Sequence, residues 1–408
     1  MRLAYLVKKF PRLSETFVLN EVLGQQDLGA ELTVFARRPA DDEPRQPQLA
    51  RLTAPIELVP PASQIDLWQD LFGADGPKLL PRVQRVVETF RPLGHPRLPS
   101  LVAEALWLLR RTSELGIEHV HVHFATEAAV TAMLLAELGG PGYSVTAHAK
   151  DIYRSTVNAP LLSAIVERSR FTVTVCDANV RHMNGLIGPR AQAKLRRLYN
   201  GIDVDLFTPP PAPRRERHVL SVGRLVEKKG FDVLIDSFAA LARRRIGFQA
   251  TLIGDGEERE AIRARIQAAG LAERVELAGA LDSAAVRERM RAATVLCLPC
   301  KIGEDGNRDA LPTVLLEALA SGLPCISTPV TGIPEILDEG RAGTLVPEND
   351  VEATARALER VLADPALRAA QAAAGRQRAE RLFEARASAR TLHDWFQEAL
   401  VHEAAPAA

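Results

Sequence analysis

Two carboxylates eight residues apart, Asp309 and Glu317, are the strongest chemical signal in this sequence. Pro312 between them can open a helix, because the first helical position has no use for an N–H group, and Gly322 can close it in the left-handed conformation. The free amides and the positive dipole end of such a helix favour an anion. The two carboxylates that flank it suit hydroxyl groups beside a phosphate. The combination predicts a pocket for a sugar nucleotide.

A second candidate group is a pair of cations, Arg224 and Lys229, in a turn that follows an apolar strand over residues 218–222. Ligands bind at the carboxyl ends of parallel strands, and an Arg fork with a Lys point charge can neutralise a diphosphate. Alone, such a pair would indicate only a solvated loop. The predicted phosphate site on the same sheet favours binding. The glycine turn that contains Gly254 lacks the full dinucleotide fingerprint and is also compatible with a plain tight turn.

Histidines form two further candidate groups. His148 directly follows an apolar strand, where it can hydrogen-bond a sugar hydroxyl or a developing charge, although a structural histidine fits equally well. His119, His121 and His123 alternate along one strand and therefore point to one face. A metal site there needs further ligands, of which none is evident, so we expect no metal. His123 is nearest to the strand end and is expected to border the cleft.

Composition excludes several functional classes. The chain has 408 residues, of which 47% are apolar, and equal numbers of basic and acidic side chains, 51 each, which argues against a polyanion partner. The N-terminal apolar run is too short for a signal peptide, and no run is long enough to cross a bilayer, so we expect a cytoplasmic protein. Four cysteines do not indicate a disulfide framework. Cys297 and Cys300 are interpreted as core residues, because no second pair accompanies them.

The elements that must position these groups alternate between short apolar strands and amphipathic helices, which indicates parallel sheets covered by helices. We therefore predict an α/β protein with two Rossmann-like, doubly wound domains that face a central cleft. The Pro-rich stretch before the second series of strands is typical of a linker. The predicted boundaries are 1–207 for the acceptor-binding domain, 208–217 for the linker, 218–385 for the nucleotide-sugar-binding domain, and 386–408 for a helix that packs back on the first domain.

Local patterns add three expectations for the first domain. Ser14 is suited to cap its first helix. Residues 39–63, rich in Pro, Asp and Glu, are predicted to form an exposed loop. Residues 101–111 are predicted to form a helix with an apolar side.

Jointly, these motifs resemble retaining glycosyltransferases of family 4, which have the GT-B fold. The matching segments of the second half are 221–224, 229–230, 253–256, the acidic pair that ends at Glu317, and the interdomain junction at 200–209. In the first half, the segments 10–17, 121–124 and 146–152 are similar to the exopolysaccharide and colanic-acid-type subgroup. The resemblance covers nearly the whole chain.

The resemblance implies transfer of a sugar from a UDP- or GDP-sugar to a hydroxyl of a glycan or lipid-linked acceptor, with retained configuration, in exopolysaccharide or surface polysaccharide biosynthesis. It implies no metal and no cofactor besides the donor. Carried onto this chain, the implied catalytic residues are His148 and Asp309; the donor-binding residues are Arg224, Lys229, Gly254, Leu311, Thr313 and Glu317; and the acceptor-side residues are Arg12, Ser14, Glu15, His123, Lys150 and Asp151.

Two features depart from the family pattern. The first acidic position is usually Glu, whereas Asp309 is one methylene shorter, which leaves the donor sugar open. The N-terminal loop lacks a glycine pair and carries Arg12, Ser14 and Glu15 instead.

Three other functions are compatible with the same architecture: a non-catalytic partner in a polysaccharide assembly complex, a sugar-nucleotide epimerase, and a phosphorylase. The presence of Arg224, Lys229 and Glu317 argues against the first, and the residue patterns of the other two are not evident. An acceptor on a lipid carrier would bring the first domain to the inner face of the membrane. Lys8, Lys9, Arg12 and the helix predicted over 101–111 are candidates for that contact.

Overall fold

Two parallel sheets, each covered by helices, form the computed structural model, which describes residues 1–13, 15–43, 45–67, 71, 73, 76–210 and 214–404. The strands of the first sheet lie in the order β3-β2-β1-β4-β5-β6-β7. They are β1 Arg2–Lys9, β2 Glu31–Arg38, β3 Ile56–Leu58, β4 His119–His123, β5 Gly142–Ala147, β6 Thr172–Thr174 and β7 Leu195–Arg197. Leu3 on β1 pairs with Leu32 on β2 and with His119 on β4. The strand order reverses between β1 and β4, which opens a crevice at their carboxyl ends.

The second sheet follows the same rule, with the order β10-β9-β8-β11-β12-β13. Its strands are β8 His218–Val222, β9 Gln249–Ile253, β10 Val275–Gly279, β11 Val295–Leu298, β12 Cys325–Ser327 and β13 Thr344–Leu345. All described pairs in both sheets are parallel. The order reverses between β8 and β11, so each sheet presents one such reversal to the same cleft. This confirms the predicted architecture of two doubly wound domains facing a cleft.

Helices cover both sheets. In the first domain they are α1 Thr16–Asp27, α2 Gly76–Phe90, α3 Leu98–Leu115, α4 Glu127–Glu137, α5 Ala159–Arg168, α6 Asp177–Asn184 and α7 Pro189–Gln192. After β8 they are α8 Phe231–Arg243, α9 Arg259–Ala268, α10 Ser283–Ala292, α11 Thr313–Ala320, α12 Ile333–Ile336, α13 Val351–Ala363, α14 Pro365–Leu382 and α15 Ala385–Ala404. Side chains of Asn158, Asp282, Asp350 and Asp364 accept N–H groups at the starts of four of them, as capping residues do.

The central strands are buried on both faces, as parallel sheets require. Every residue of β4 and β5 is buried. The predicted helix over 101–111 is the middle of α3, and its Leu101, Leu106 and Leu108 pack into the core of the first domain. That apolar side is therefore not available to a membrane surface. Among the helices that the structure describes, none combines the length and apolarity needed to span a bilayer.

The prediction of a loop over residues 39–63 is wrong in part, because β3 and a short 3₁₀ turn, Pro47–Arg51, lie within it, and a second 3₁₀ turn, Ala62–Gln64, begins at its end. Ile56 and Leu58 on β3 are exposed, so the strand has no buried apolar face that a sequence pattern would reveal. It is held instead by pairing along β2, where the N–H of Val34 donates to Pro55 and the N–H of Val59 donates to Ala36.

The chain crosses between the domains twice, and the two crossings are hydrogen-bonded to each other. The N–H of Ile202 donates to the carbonyl of Phe383, and the N–H of Ala385 donates back to the carbonyl of Ile202. Beyond this point α15 lies along α1. Gln25 Nε2 donates to the carbonyl of Ala389 at 2.8 Å, and Leu392, Phe396 and Ala399 belong to the core of the first domain. The end of the described chain thus completes the domain with which the chain began.

Candidate active site

The carboxyl ends of both sheets open into one cavity of about 340 Å³ between the domains. Both halves of the chain contribute side chains to it. The lining residues that the sequence had singled out are Glu15, His148, Lys150, Arg224, Lys229, Gly254, Asp309, Leu311, Thr313 and Glu317. The cavity therefore brings together all of the predicted catalytic and donor-binding residues.

On the second-domain side, Asp309 forms ion pairs with two lysines. Its Oδ1 lies 2.8 Å from Lys228 Nζ and its Oδ2 lies 2.5 Å from Lys229 Nζ. Burial on its own would raise the pKa of Asp309, but the two ammonium groups more than offset it and hold that pKa well below its ordinary value. Burial opposes the charge on Lys229 as well, yet Asp309 raises the pKa of Lys229 above its ordinary value. Asp309 and Lys229 are therefore both charged at neutral pH.

Lys228 is a cleft residue that sequence reasoning missed. The sequence offers two adjacent lysines before Gly230, and only the second was selected. The structure brings both to Asp309 because they lie on a 3₁₀ turn, Glu227–Lys229, in the loop that follows β8. The signal that could have found Lys228 is the adjacency itself, since a tight turn at a strand end can direct neighbouring side chains to one acceptor.

Two glycines allow the turns beneath these cations to pack backbone against backbone. Gly230 has φ +67°, and a Cβ there would lie 2.0 Å from the carbonyl oxygen of Pro299. Gly254 has φ +143°, and its Cβ would lie 1.9 Å from the carbonyl oxygen of Gly223. Any side chain at either position would push the turns apart. This is why the weak glycine signal in the sequence coincides with the cleft floor.

The helix that carries Glu317, α11, begins at Thr313, and Pro312 is its N-cap. The sequence had predicted Pro312 as the first residue inside the helix, one position further along. Its first N–H groups lack intrahelical acceptors, and Leu311 and Thr313 line the cavity beside them. Glu317 follows in the second turn. Burial raises the pKa of Glu317 to about 7, against a smaller opposing effect of Arg287. Gly322 ends the helix segment with φ +58°, the left-handed conformation expected for it.

On the first-domain side, His148 follows β5 and is held through its backbone. Its N–H donates to the carboxylate of Asp151 at 3.1 Å, and its carbonyl accepts from Asn179 Nδ2 at 2.5 Å. The rings of Phe17 and Phe124 lie 4.6 and 4.4 Å from its ring centre. Burial, with smaller effects of neighbouring His123 and Lys150, lowers the pKa of His148 well below its ordinary value. The imidazole is therefore neutral at physiological pH.

The other predicted acceptor-side residues divide into those that reach the cleft and those that support it. Lys150 reaches it, with Nζ 4.3 Å from the ring centre of Phe124, a cation–π contact. Arg12 lies beside the cavity and forms ion pairs with Glu15 at 2.6 Å and with Asp41 at 3.3 Å. Asp151 is buried and accepts backbone N–H groups. Ser14 lies outside the described residues.

His123 is buried behind His148 rather than at the cavity surface. Its Nδ1 lies 3.2 Å from His148 Nε2, and its Nε2 lies 3.2 Å from Glu21 Oε1. The same carboxylate oxygen lies 3.3 Å from His121 Nε2. The prediction that no further potential metal ligand accompanies the histidines is therefore wrong. Glu21 on α1 brings a carboxylate oxygen within 4.8 Å of the ring nitrogens of His121 and His123. Nearly a hundred residues separate it from β4, so spacing could not reveal it.

The two domains also touch across the cleft. The N–H of Ser283, at the start of α10, donates to Gln46 Oε1 at 3.3 Å, and Gln46 Nε2 donates to the carbonyl of Leu13 at 3.0 Å. All three residues line the cavity. The sequence carried no signal for this contact, because Gln46 belongs to the segment that was interpreted as a loop.

Two models of glycosyltransferase families match the chain. Residues 14–206 match the family model "Glycosyltransferase Family 4", and residues 205–378 match the model "Glycosyl transferases group 1". A relative from Salmonella typhimurium, named as a colanic acid biosynthesis glycosyltransferase, WcaL, is 29% identical over 371 residues, which covers 88% of this chain and 90% of the relative. The amylovoran biosynthesis glycosyltransferase AmsK of Erwinia amylovora is 26% identical, with 88% and 90% covered.

Solved structures share the fold at low sequence identity. Sucrose-phosphate synthase from Thermosynechococcus elongatus has a TM-score of 0.76 and 18% identity, with 98% of this chain and 100% of that chain covered. The protein Alr3699/HepE from Anabaena, solved in complex with UDP-glucose, has a TM-score of 0.74 and 16% identity, with 98% of this chain and 100% of that chain covered. The two family models meet at the domain junction and together match residues 14–378. The chain belongs to the family 4 glycosyltransferases and has the GT-B fold.

Proposed function

We propose that the protein is a retaining, metal-independent glycosyltransferase that moves a sugar from a UDP- or GDP-sugar to a hydroxyl of a glycan or lipid-linked acceptor. The product would be an exopolysaccharide or another surface polysaccharide, in line with the names of the colanic acid and amylovoran relatives. The observation that carries the proposal is the cluster of Arg224, Lys228, Lys229 and Asp309 beside the start of α11.

The charge of this cluster suits a sugar nucleotide. Three cations and one carboxylate leave a net charge of +2 at the cavity wall, which balances the roughly two negative charges of a donor diphosphate. The amides at the start of α11 add dipoles of the same sign. Fixed positive charge of this kind stabilises the leaving nucleoside diphosphate, which is the work that a divalent cation does in metal-dependent transferases.

Glu317 and Asp309 have different electrostatic surroundings and so suit different parts of the donor. Glu317 has no ion pair among the described residues, and its raised pKa leaves it about half ionised near neutrality. Such a carboxylate suits the ribose hydroxyls, as the resemblance to the family implies. Asp309 forms ion pairs with the lysines that would contact the phosphates, and in this proposal it lies where the sugar and the diphosphate join. Its shorter reach compared with Glu is a reason for a different donor-sugar preference.

Retention of configuration requires the acceptor hydroxyl to meet the anomeric carbon on the side from which the diphosphate departs. The departing phosphate oxygen can take the hydroxyl proton, so no protein nucleophile is obligatory. In this scheme Arg224, Lys228 and Lys229 hold the charge that develops on the leaving group. The neutral ring of His148, on the opposite wall, contacts a sugar hydroxyl near the reacting carbon.

A lipid-linked acceptor would approach from the first domain. Lys150 and Glu15 line that side of the cavity, and Lys8 is an exposed cation at the end of β1. Because the apolar side of α3 is packed into the core, contact with a membrane surface would rest on cations of this kind and not on an inserted helix.

The test is sugar transfer in the presence of EDTA with a panel of UDP- and GDP-sugars. We expect one donor to be consumed without added metal, and we expect proton NMR of the product to give the same anomeric configuration as the donor. Nucleotide binding should be measured in parallel by thermal shift, since a ligand that binds only the native state raises its melting temperature. Inversion of configuration or dependence on a divalent cation would contradict the corresponding part of the proposal. Folded protein that binds no nucleotide would contradict all of it.

A further inference from the structure

We propose that Glu335 fixes the two walls of the cleft relative to each other, because its carboxylate binds the start of α6 in the opposite domain. Glu335 is not among the residues that line the cavity, so it is a positioning residue and not a catalytic one. The contact between the domains follows from the geometry alone. Its effect on sugar transfer rests on the proposed function.

The contact consists of three hydrogen bonds to one side chain. Glu335 Oε1 accepts the N–H of Ala178 at 2.9 Å, and Oε2 accepts the N–H of Asp177 at 2.9 Å. The hydroxyl of Tyr199 donates to Oε2 as well, at 3.1 Å. Glu335 lies on α12 in the second domain, whereas the three donors belong to the first domain. Both carboxylate oxygens are therefore used across the domain boundary.

Helix α6 does not supply this acceptor itself. The first N–H groups of a helix have no intrahelical partner, and a Ser, Thr, Asp or Asn side chain at the N-cap usually accepts one of them. The N-cap of α6 is Cys176, whose side chain makes no capping hydrogen bond. Four other helices of the chain are capped by their own Asn or Asp. Helix α6 differs from them because its acceptor comes from the other domain.

On the first-domain side, the start of α6 is bonded to the segment that carries His148. Asn179, in the first turn of α6, is buried, and its Nδ2 donates to the carbonyl of His148 at 2.5 Å. The same Nδ2 donates to Thr174 Oγ1 at 2.9 Å, at the end of β6. Because these bonds join the helix, the strand and His148, whatever holds α6 in place also holds the first-domain wall.

On the second-domain side, the turn that leads to Glu335 is bonded to the loop that carries Asp309. The N–H of Gly332 donates to the carbonyl of Ala310, the residue after Asp309, at 3.0 Å. The turn also packs closely on the first domain, because a Cβ at Gly332 would lie 2.8 Å from Cys176 Cβ. Glu335 thus links the segment around Asp309 to the helix that holds the opposite wall.

A second contact between the domains is more exposed. Arg154 Nε lies 3.0 Å from Asp305 Oδ2, and the two side chains are 43% and 47% exposed. An ion pair of this kind contributes little to stability. Beside Glu335, in contrast, Val175 and Cys176 lie in one buried apolar cluster with residues of the second domain. We therefore expect the contact of Glu335, and not the exposed ion pair, to set the distance between the walls.

The first test measures the distance between the domains by double electron–electron resonance. Nitroxide labels are placed at Arg85→Cys in α2 and Arg356→Cys in α13, which are exposed positions, whereas the four native cysteines are buried. We expect a narrow distance distribution with Glu335 present and a broader one in Glu335→Gln, because an amide has one acceptor oxygen where the two N–H groups need two. An unchanged distribution in Glu335→Gln would overturn the proposal, whether or not sugar transfer is found.

The second test compares rate with nucleotide binding. Glu335→Gln should lower kcat for transfer roughly 10- to 100-fold, as expected when reacting groups are misplaced. The Kd for UDP or GDP should stay unchanged, because the proposed nucleotide-binding residues lie in the second domain. Asp305→Asn is the matched control, since it makes the same carboxylate-to-amide change in the exposed contact and should leave kcat as it is. Equal losses of kcat in the two variants would contradict a special role of Glu335.

A rescue experiment separates the link between domains from a simple helix cap. Cys176→Ser gives α6 an N-cap of its own. Combined with Glu335→Gln, it should restore the melting temperature but neither kcat nor the narrow distance distribution. Restoration of all three would show that Glu335 only caps the helix. If Glu335→Gln does not fold, Tyr199→Phe takes its place in each test, because it removes one of the three hydrogen bonds and should change the same quantities less.

Discussion

The two walls of the cleft differ in the way they are charged. The second-domain wall carries Arg224 and an ionised carboxylate, Asp309, that forms ion pairs with Lys228 and Lys229. The first-domain wall is built around a neutral imidazole, His148, between two phenylalanine rings. Both walls stand at the carboxyl ends of similar parallel sheets, so the fold does not cause the difference. It comes from which residues follow the central strands.

The contrast suggests that the two walls of the cleft have different roles in the reaction. Fixed positive charge stabilises a group that becomes more negative as the reaction proceeds, which is the leaving diphosphate. A neutral ring with one acceptor nitrogen does nothing for that charge but can orient a hydroxyl. If this division is correct, substitutions on the two walls must change different kinetic parameters.

The largest effect is expected for Lys229→Ala on the charged wall. Removal of one ammonium group leaves Asp309 with Lys228 alone and reduces the positive charge that faces the diphosphate. We expect kcat/KM to fall about 1000-fold, with weaker binding of nucleoside diphosphate, as measured by initial rates and by calorimetry. Arg244→Ala is a control on the outer surface, where Arg244 pairs with Glu352 and Glu359. A loss below tenfold would remove Lys229 from the charge-stabilising role.

On the opposite wall, His148→Ala should reduce transfer about 100-fold while the Kd for nucleoside diphosphate changes by less than about twofold. The reason is that the neutral ring contributes to the hydroxyl side alone. Binding and rate are measured on the same preparation. Loss of nucleotide binding in this variant would show that the walls are not separate in function.

A smaller effect tests the carboxylate within the charged wall. Asp309→Asn leaves Lys228 and Lys229 without their partner, so nucleoside diphosphate should bind roughly tenfold more tightly, while turnover falls because the product is retained. Asp309→Glu keeps the charge and serves as the control, with a change in donor-sugar preference as its own expected result. Weaker product binding in Asp309→Asn would contradict the charge balance.

The last prediction concerns the dependence of stability on pH and not the rate of transfer. The pKa of Glu317 is raised from its ordinary 4.5 to about 7 in the folded protein, so the unfolded chain releases this proton at lower pH than the folded one. The group therefore destabilises the fold as the pH rises from 4.5 to 7, and the cost is complete above 7. Glu317→Gln should raise the free energy of unfolding by up to about 3 kcal/mol at pH 8, with no gain below pH 4.5. Urea unfolding at both pH values measures this, and a gain that is equal at both would contradict the raised pKa.

The sequence predicted the fold class well because parallel sheets leave a simple pattern. Strands buried on both faces, such as β5 and β11, read as short apolar runs, and their carboxyl ends locate the turn that carries Arg224 and Lys229. Strand β3 lacks such a pattern, because its Ile56 and Leu58 are exposed, and the sequence therefore did not predict it.

The site was predicted unevenly for a related reason. Residues that lie after a strand or before a helix, such as His148 and Asp309, could be assigned to the cavity from local sequence pattern. Contacts between distant segments could not. Glu21 reaches the histidines from another helix, and Gln46 reaches Ser283 from the other domain. Lys228 is an intermediate case, because the sequence shows two adjacent lysines but does not indicate that Lys228 faces the cavity as Lys229 does.

The return of the last helix, α15, to the first domain has a consequence for synthesis. Phe396 lies 5.5 and 5.2 Å from the rings of His119 and His121, and it shares a core with Phe171. The first domain to leave the ribosome therefore cannot close its own core until the second has been translated. Until α15 has been synthesised, the apolar surface that it covers in the first domain is exposed to solvent. The first domain therefore completes its core after the second domain has been translated.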